Sequence, residues 1–131
     1  MNKKIQYWLD IAEYDLETAK SMLNTKRFLY VGFMCHQVIE KGLKAYYAYF
    51  KNATPPYSHN LTQLAEKREI IHSMSEEQLN FLDILQPLNI EARYPSYKEK
   101  LLQTLDEKKC KQIIKNTKEL HQWLKNQLLT E

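Results

Sequence analysis

The stretch His36-Gln37-Val38-Ile39-Glu40-Lys41-Gly42-Leu43-Lys44-Ala45 decides the fold. At about 100° per residue, His36, Gln37, Glu40, Lys41 and Lys44 share an arc of roughly 140°. The rest of the circumference over residues 28 to 50 is apolar or aromatic, with Leu29, Val31, Met34, Cys35, Val38, Ile39, Leu43, Tyr46, Tyr49 and Phe50 among its members. A helix this apolar belongs at the centre of a domain. Its polar stripe must then meet partner groups, a cleft or a second subunit, because buried charge without a partner is costly.

The flanking segments supply the helices that surround it. From about Asn2 to Leu23, the residues Ile5, Trp8, Leu9, Ala12, Leu16, Ala19 and Leu23 share an arc of roughly 100°. Asp15 lies at the edge of that stripe, positioned to meet something polar on helix 2. A weaker second stripe of Tyr7, Ile11, Tyr14 and Met22 suits a further core contact or a dimer contact. The short turn Asn24 to Arg27 implies an antiparallel pair. Asn52, Pro55 and Pro56 end helix 2 and form a loop. Asn60 is set to cap a third helix, with Gln63 as its capping-box partner, and Ser75 with Gln78 repeats the pattern ahead of Leu79, Phe81, Leu82 and Leu85. Pro87 closes that segment, and Leu88 to Tyr97 reads as irregular. A last helix starts near Thr104 or Asp106, with Cys110, Ile113, Ile114, Thr117, Leu120, Leu124 and Leu128 on one face and Lys108, Lys111, Lys115, Lys118 and Lys125 on the other. The expected fold is all-α, an antiparallel up-down helical bundle of four to five helices, with residues 1–131 forming one domain.

Composition narrows the function classes. With 2 glycines and 4 prolines in 131 residues there are few hairpin signals, and no alternating apolar run argues for a sheet. A net charge of +3 permits an anionic partner but falls short of a dedicated nucleic-acid binder. The two cysteines, Cys35 and Cys110, sit at apolar helical positions, and His36, His72 and His121 form no metal-ligand pattern, so no metal or other cofactor is expected. No apolar run approaches the length of a membrane span, so the expectation is a cytoplasmic protein with no membrane partner.

Four segments in order then resemble a known family. They are Trp8-Leu9 with Ala12 and Asp15-Leu16; Cys35-His36-Gln37 with Glu40-Lys41 and Leu43-Lys44-Ala45; Ser58-His59-Asn60-Leu61; and Arg93-Tyr94-Pro95. Together they resemble the HEPN domains (higher eukaryotes and prokaryotes nucleotide-binding), in the small stand-alone prokaryotic form. The resemblance implies a helical bundle, commonly homodimeric, that handles nucleotide or RNA. Many such proteins are paired with a separately encoded minimal nucleotidyltransferase in toxin–antitoxin modules, and others are ribonucleases that need no metal. The nucleases carry an Arg followed by four to six residues and a polar residue before a His. Here Arg68 precedes His72 with three residues between them, and Arg27 and Arg93 have no histidine at suitable spacing.

Each candidate residue has two readings. Gln37, Lys41 and Lys44 form a nucleotide or phosphate site, or a structural network in which Asp15 and Glu40 pair with Lys41, Lys44 or Arg93. His59 stands beside a helix start that favours anions, or acts only as a surface or capping residue. Arg93 and Tyr94 offer a bidentate phosphate contact and a stacking ring, or tie down a loop. The catalytic candidates are His59, Arg68, His72 and Arg93, because RNA cleavage needs a positioned acid or base and a cation for the phosphorane. The leading expectation is a homodimeric nucleotide- or RNA-binding protein working with a nucleotidyltransferase. The rivals are a metal-independent ribonuclease toxin and a dimerisation module without ligand.

Overall fold

A computed structural model describes residues 3–67, 69–90 and 95–129. Six α-helices occur among these residues: α1 (Lys3–Asn24), α2 (Phe28–Lys51), α3 (Leu61–Lys67), α4 (Glu76–Leu85), α5 (Pro95–Thr104) and α6 (Glu107–Leu129). Single 3-10 turns cover Ile70–Ser73 and Gln86–Leu88, and the described residues contain no strand. The expected all-α bundle is therefore present.

The long helices α1, α2 and α6 form the frame. A tight connection folds α2 back on α1: Lys26 takes a left-handed φ of 59°, and the Arg27 amide donates to the Met22 carbonyl at 2.7 Å. The apolar stripe of α1 buries Ile5, Leu9, Ala12, Leu16 and Ala19 against α2. Helix α6 packs on both. Gly42 stands at the α2–α6 contact, where a Cβ would lie 3.1 Å from Leu124 Cδ1, the end of a flexible side chain. Helix α2 buries residues around almost its whole circumference, including His36, Gln37, Glu40 and Lys44.

The ends of the helices follow local chemistry. Asn52 at φ 48° stops α2, and Glu69 at φ 65° follows α3 in the same left-handed region. Ser75 and Gln78 make the expected capping box at α4. Asp106 accepts from the Lys109 amide at 2.7 Å to start α6.

Three expectations need correction. Pro95–Thr104 form α5, so the described residues hold six helices rather than four to five. The irregular reading reaches to Tyr97 and gives residues 98–103 no element, while a proline is compatible with a first helical position, where its missing N–H is not needed. Asn60 does cap α3, accepting from the Gln63 amide at 2.9 Å. Gln63 does not return the bond, however; the Ser58 hydroxyl accepts from the Asn60 amide instead and donates to Gln63 Oε1. Finally, α3 ends at Lys67 and His72 lies exposed in the following 3-10 turn, so no continuous helix joins positions 68 and 72. Arg68 itself, with Arg93 and Tyr94, lies outside the described residues.

The apolar interior has two parts. A large cluster runs through Leu16, Val38, Ile39, Leu43, Leu64, Leu82 and Leu124. A smaller one joins Ile5, Leu9, Ala45, Ala48 and Leu128 where α1 begins and where α2 and α6 end. Cys35 and Cys110 are free and buried. Burial pushes their thiols up to about 12 and about 11, which leaves them inert at neutral pH.

Candidate functional site

Glu40 has no exposed side-chain surface, yet it sits on a helix otherwise built for the core. Its carboxylate is matched from several directions. Lys44 Nζ, one turn on, donates to Oε2 at 3.1 Å, and Lys41 Nζ donates to the same oxygen at 3.3 Å. His59 Nδ1, from the loop before α3, lies 2.8 Å from Oε1. Burial, the largest influence, pushes the Glu40 carboxyl up. The hydrogen bond from His59 and the charges of Lys44 and Lys41 outweigh it and hold the group below the ordinary carboxylate range.

The tautomers follow from the partners. A carboxylate can only accept, so His59 Nδ1 carries hydrogen, and Nε2 of the neutral ring bears the lone pair. With 40% of its side-chain surface exposed, His59 reaches solvent. His36 Nε2 is 3.1 Å from the His59 carbonyl oxygen, so that nitrogen donates. His36 Nδ1 then faces Glu40 Oε1 at 3.9 Å and makes no hydrogen bond among the described residues. Burial lowers the His36 pKa to about 4, which keeps the ring neutral at pH 7.

The backbone of His59 is held as firmly as its ring. Gln86, at the end of α4, donates through Nε2 to the His59 carbonyl at 3.2 Å and accepts from the Leu61 amide at 2.7 Å. Two side chains therefore fix the carbonyl of a residue whose ring a third side chain orients. Such support is what a positioned acid, base or ligand requires.

Around this core stand the remaining groups. Lys41 Nζ also donates to Gln37 Oε1 at 3.0 Å. Each lysine keeps at least one N–H beyond those bonds. Lys44 Nζ lies 5.7 Å from the Trp8 ring centroid and 6.0 Å from that of Tyr57, and the Tyr57 ring meets His59 edge-on at 5.4 Å. Asp15 approaches from α1. Burial raises its pKa most, the Lys41 charge opposes that, and the Glu40 charge adds to it.

The structure thus brings together Asp15, Gln37, Glu40, Lys41, Lys44 and His59, and leaves His72 exposed elsewhere. The sequence gives no role to Gln86 or Tyr57. It places Trp8 in the apolar stripe of α1 and in the family motif, and His36 in the polar stripe and the same family's second motif, without a site role for either. His36 was accessible in principle, since it lies one turn before Glu40. Gln86 carried no such signal, because its partner is a backbone carbonyl 27 positions away. On the lysine face of α6, Lys125 donates to Glu13 Oε1 at 2.7 Å and Lys111 stands 3.8 Å from Glu107. Among the described residues no group of three or more His, Cys, Asp or Glu is arranged to hold a metal ion, and no helix is long and apolar enough to cross a membrane.

The model of the HEPN domain matches residues 5–127, nearly the whole chain. The protein belongs to the HEPN family. Two solved structures share its fold. TT1696 from Thermus thermophilus aligns at TM-score 0.80 and 15% identity, over 95% of this chain and 98% of that one. ST0689, described as an archaeal HEPN homologue, aligns at TM-score 0.71 and 17% identity, over 98% and 99%. No curated protein matches the sequence. At these identities the two structures speak for the fold alone, while family membership supports a nucleotide- or RNA-related role for this HEPN protein.

Proposed function

We propose that this HEPN protein binds nucleotide or RNA at the patch formed by His59, Lys41, Lys44 and Gln37. The observation that carries the reading is the support given to His59: Glu40 orients its ring, while His36 and Gln86 hold its carbonyl. Two ammonium groups face one buried carboxylate there, and the N–H groups that Lys41 and Lys44 keep beyond those bonds are donors for phosphate oxygens. Arg93 and Tyr94 enter the proposal from the sequence alone, as a phosphate contact and a stacking ring. The same proposal includes a homodimer, a separately encoded minimal nucleotidyltransferase as partner, and a toxin–antitoxin-like module.

Isothermal titration with nucleotides and short RNAs, with and without that partner, tests it. His59→Ala and Lys44→Gln should each weaken binding by about tenfold, as expected for loss of a charge-assisted contact of about 1.5 kcal/mol. Absence of binding in both settings rejects the proposal.

The His59–Glu40 pair also favours a second reading, a metal-independent ribonuclease. A histidine whose Nδ1 is bonded to a buried carboxylate presents Nε2 as a ready proton acceptor for a ribose hydroxyl. Incubation of the pure protein with total RNA in EDTA separates the readings. Cleavage that disappears in His59→Ala assigns catalysis; intact RNA alongside measurable binding leaves a binding protein.

A further inference from the structure

A groove of about 360 Å³ opens beside the patch, between the first turns of α1, the last turn of α2 and the loop that follows. It is lined chiefly by Lys3, Lys4, Tyr7, Trp8, Ala48 and Pro55. Its size sits at the low end of the roughly 300–1,000 Å³ typical of small-molecule clefts. Its walls are mostly apolar and its mouth is cationic. No carboxylate lies within 4 Å of Lys3 or Lys4 among the described residues. The first described turn of α1 carries no acidic residue either, so the positive end of that helix is not offset locally.

Trp8 connects this groove to the patch. Its ring is set edge-to-face against Tyr7 at 5.7 Å and lies the same distance from Lys44 Nζ. A half-buried indole flanked by Tyr7 and Lys44 offers a flat surface on which a planar ring can rest. We propose that the groove binds a planar aromatic ring bearing an anionic group, the ring lying against Trp8 and the anion meeting Lys3 and Lys4. The identity of the ring as a nucleobase rests on the nucleotide reading above; the place and the division of labour are new. Trp8 lines the groove and also lies 5.7 Å from Lys44 Nζ of the patch, a layout that suits a strand longer than one nucleotide.

The test uses Trp8 as its own reporter. The chain has 2 tryptophans, so Trp123→Phe leaves Trp8 as the sole indole. In that background, adenosine 5′-monophosphate should quench the fluorescence saturably. Adenosine should bind about tenfold more weakly, and inorganic phosphate should neither quench nor compete at matching concentration. Lys3→Gln with Lys4→Gln, both on the exposed rim, should bring the monophosphate down to the affinity of adenosine without affecting the fold. Trp8→Leu, followed by calorimetry on a variant shown to melt normally, should lower affinity about tenfold, the usual scale of base–aromatic stacking. Absence of saturable quenching overturns the proposal, and so does competition by inorganic phosphate as strong as that of the monophosphate. Its failure is separable from that of the wider reading. Short-RNA binding lost in His59→Ala but untouched by the Trp8 and lysine variants sinks the groove alone, whereas monophosphate quenching without any RNA binding at His59 sinks the patch alone.

Discussion

Replacing Glu40 by glutamine keeps its shape and removes its charge, so it isolates what the carboxylate contributes. Lys44 and Lys41 would lose a charged acceptor, and the hydrogen bond from His59 would weaken from charge-assisted to neutral. We expect Glu40→Gln to lose about 2 kcal/mol of stability at pH 7, the scale of a buried hydrogen bond to a charged group, measured by urea unfolding. The folded-state pKa of Glu40 is depressed, so its contribution is present above the carboxylate range and fades as pH falls through it. The gap between the two proteins should therefore close in acid; a gap that stays constant would mean that charge is not the cause. His36 gives a second pH signature. Its folded pKa of about 4 lies below the ordinary 6.5, so the unfolded chain takes up a proton that the folded chain refuses. Stability is thus fully present above pH 6.5 and declines toward pH 4, by up to about 3 kcal/mol from this group. His121, also lowered mainly by burial and only partly countered by Glu13, adds to the same slope. His36→Gln, which can still donate to the His59 carbonyl, should flatten the profile in that window; an unchanged slope would exclude His36 as its source.

At the scale of the element, the α2–α6 contact at Gly42 leaves little room for a larger side chain. A Cβ at this position would meet Leu124 Cδ1 at 3.1 Å and His121 Nδ1 at 3.7 Å. Gly42→Ala should be near neutral, because a gain in helix propensity of about 1 kcal/mol offsets a small shift of a flexible leucine end. Gly42→Val should cost about 1–3 kcal/mol by overpacking. Thermal melts of the two variants check the ordering, and equal losses would show that the contact is not limiting. The elements differ in how plainly the sequence announced them. Helices α1, α2 and α6 each carry apolar residues at helical spacing over more than twenty positions, so their faces were readable without coordinates. Helix α5 buries none of its residues, so no apolar stripe marked it, and only Pro95 signalled its start. The site was readable to the extent that it lies on one helix: Glu40, Lys41 and Lys44 follow from the period of α2. What fixes His59 does not follow from it, because His36 and Gln86 bind a backbone oxygen, and that meeting depends on where the loop crosses the bundle.

At the scale of the molecule, the two apolar clusters divide the bundle along its length. The larger one lies beneath the His59 site, through Val38, Ile39 and Leu43; the smaller one underlies Trp8 and the adjoining groove. Helix α2 runs through both, and Tyr46 packs against each. A cluster of five buried residues removes less apolar surface from water than its larger neighbour, so the end where α1 starts and α2 and α6 finish should open at lower cost. Hydrogen exchange should therefore be faster at amides of residues 5–9 and 45–50 than at residues 36–43. Leu9→Ala sharpens the contrast: Leu9 is buried in the smaller cluster, and a core leucine truncation costs about 2–5 kcal/mol. Exchange should then accelerate at the end of the bundle while amides around Glu40 keep most of their protection. Equal acceleration in both regions would show that the bundle opens as one unit. Local opening would instead mean that the groove beside Trp8 can loosen without releasing the histidine that Glu40 holds.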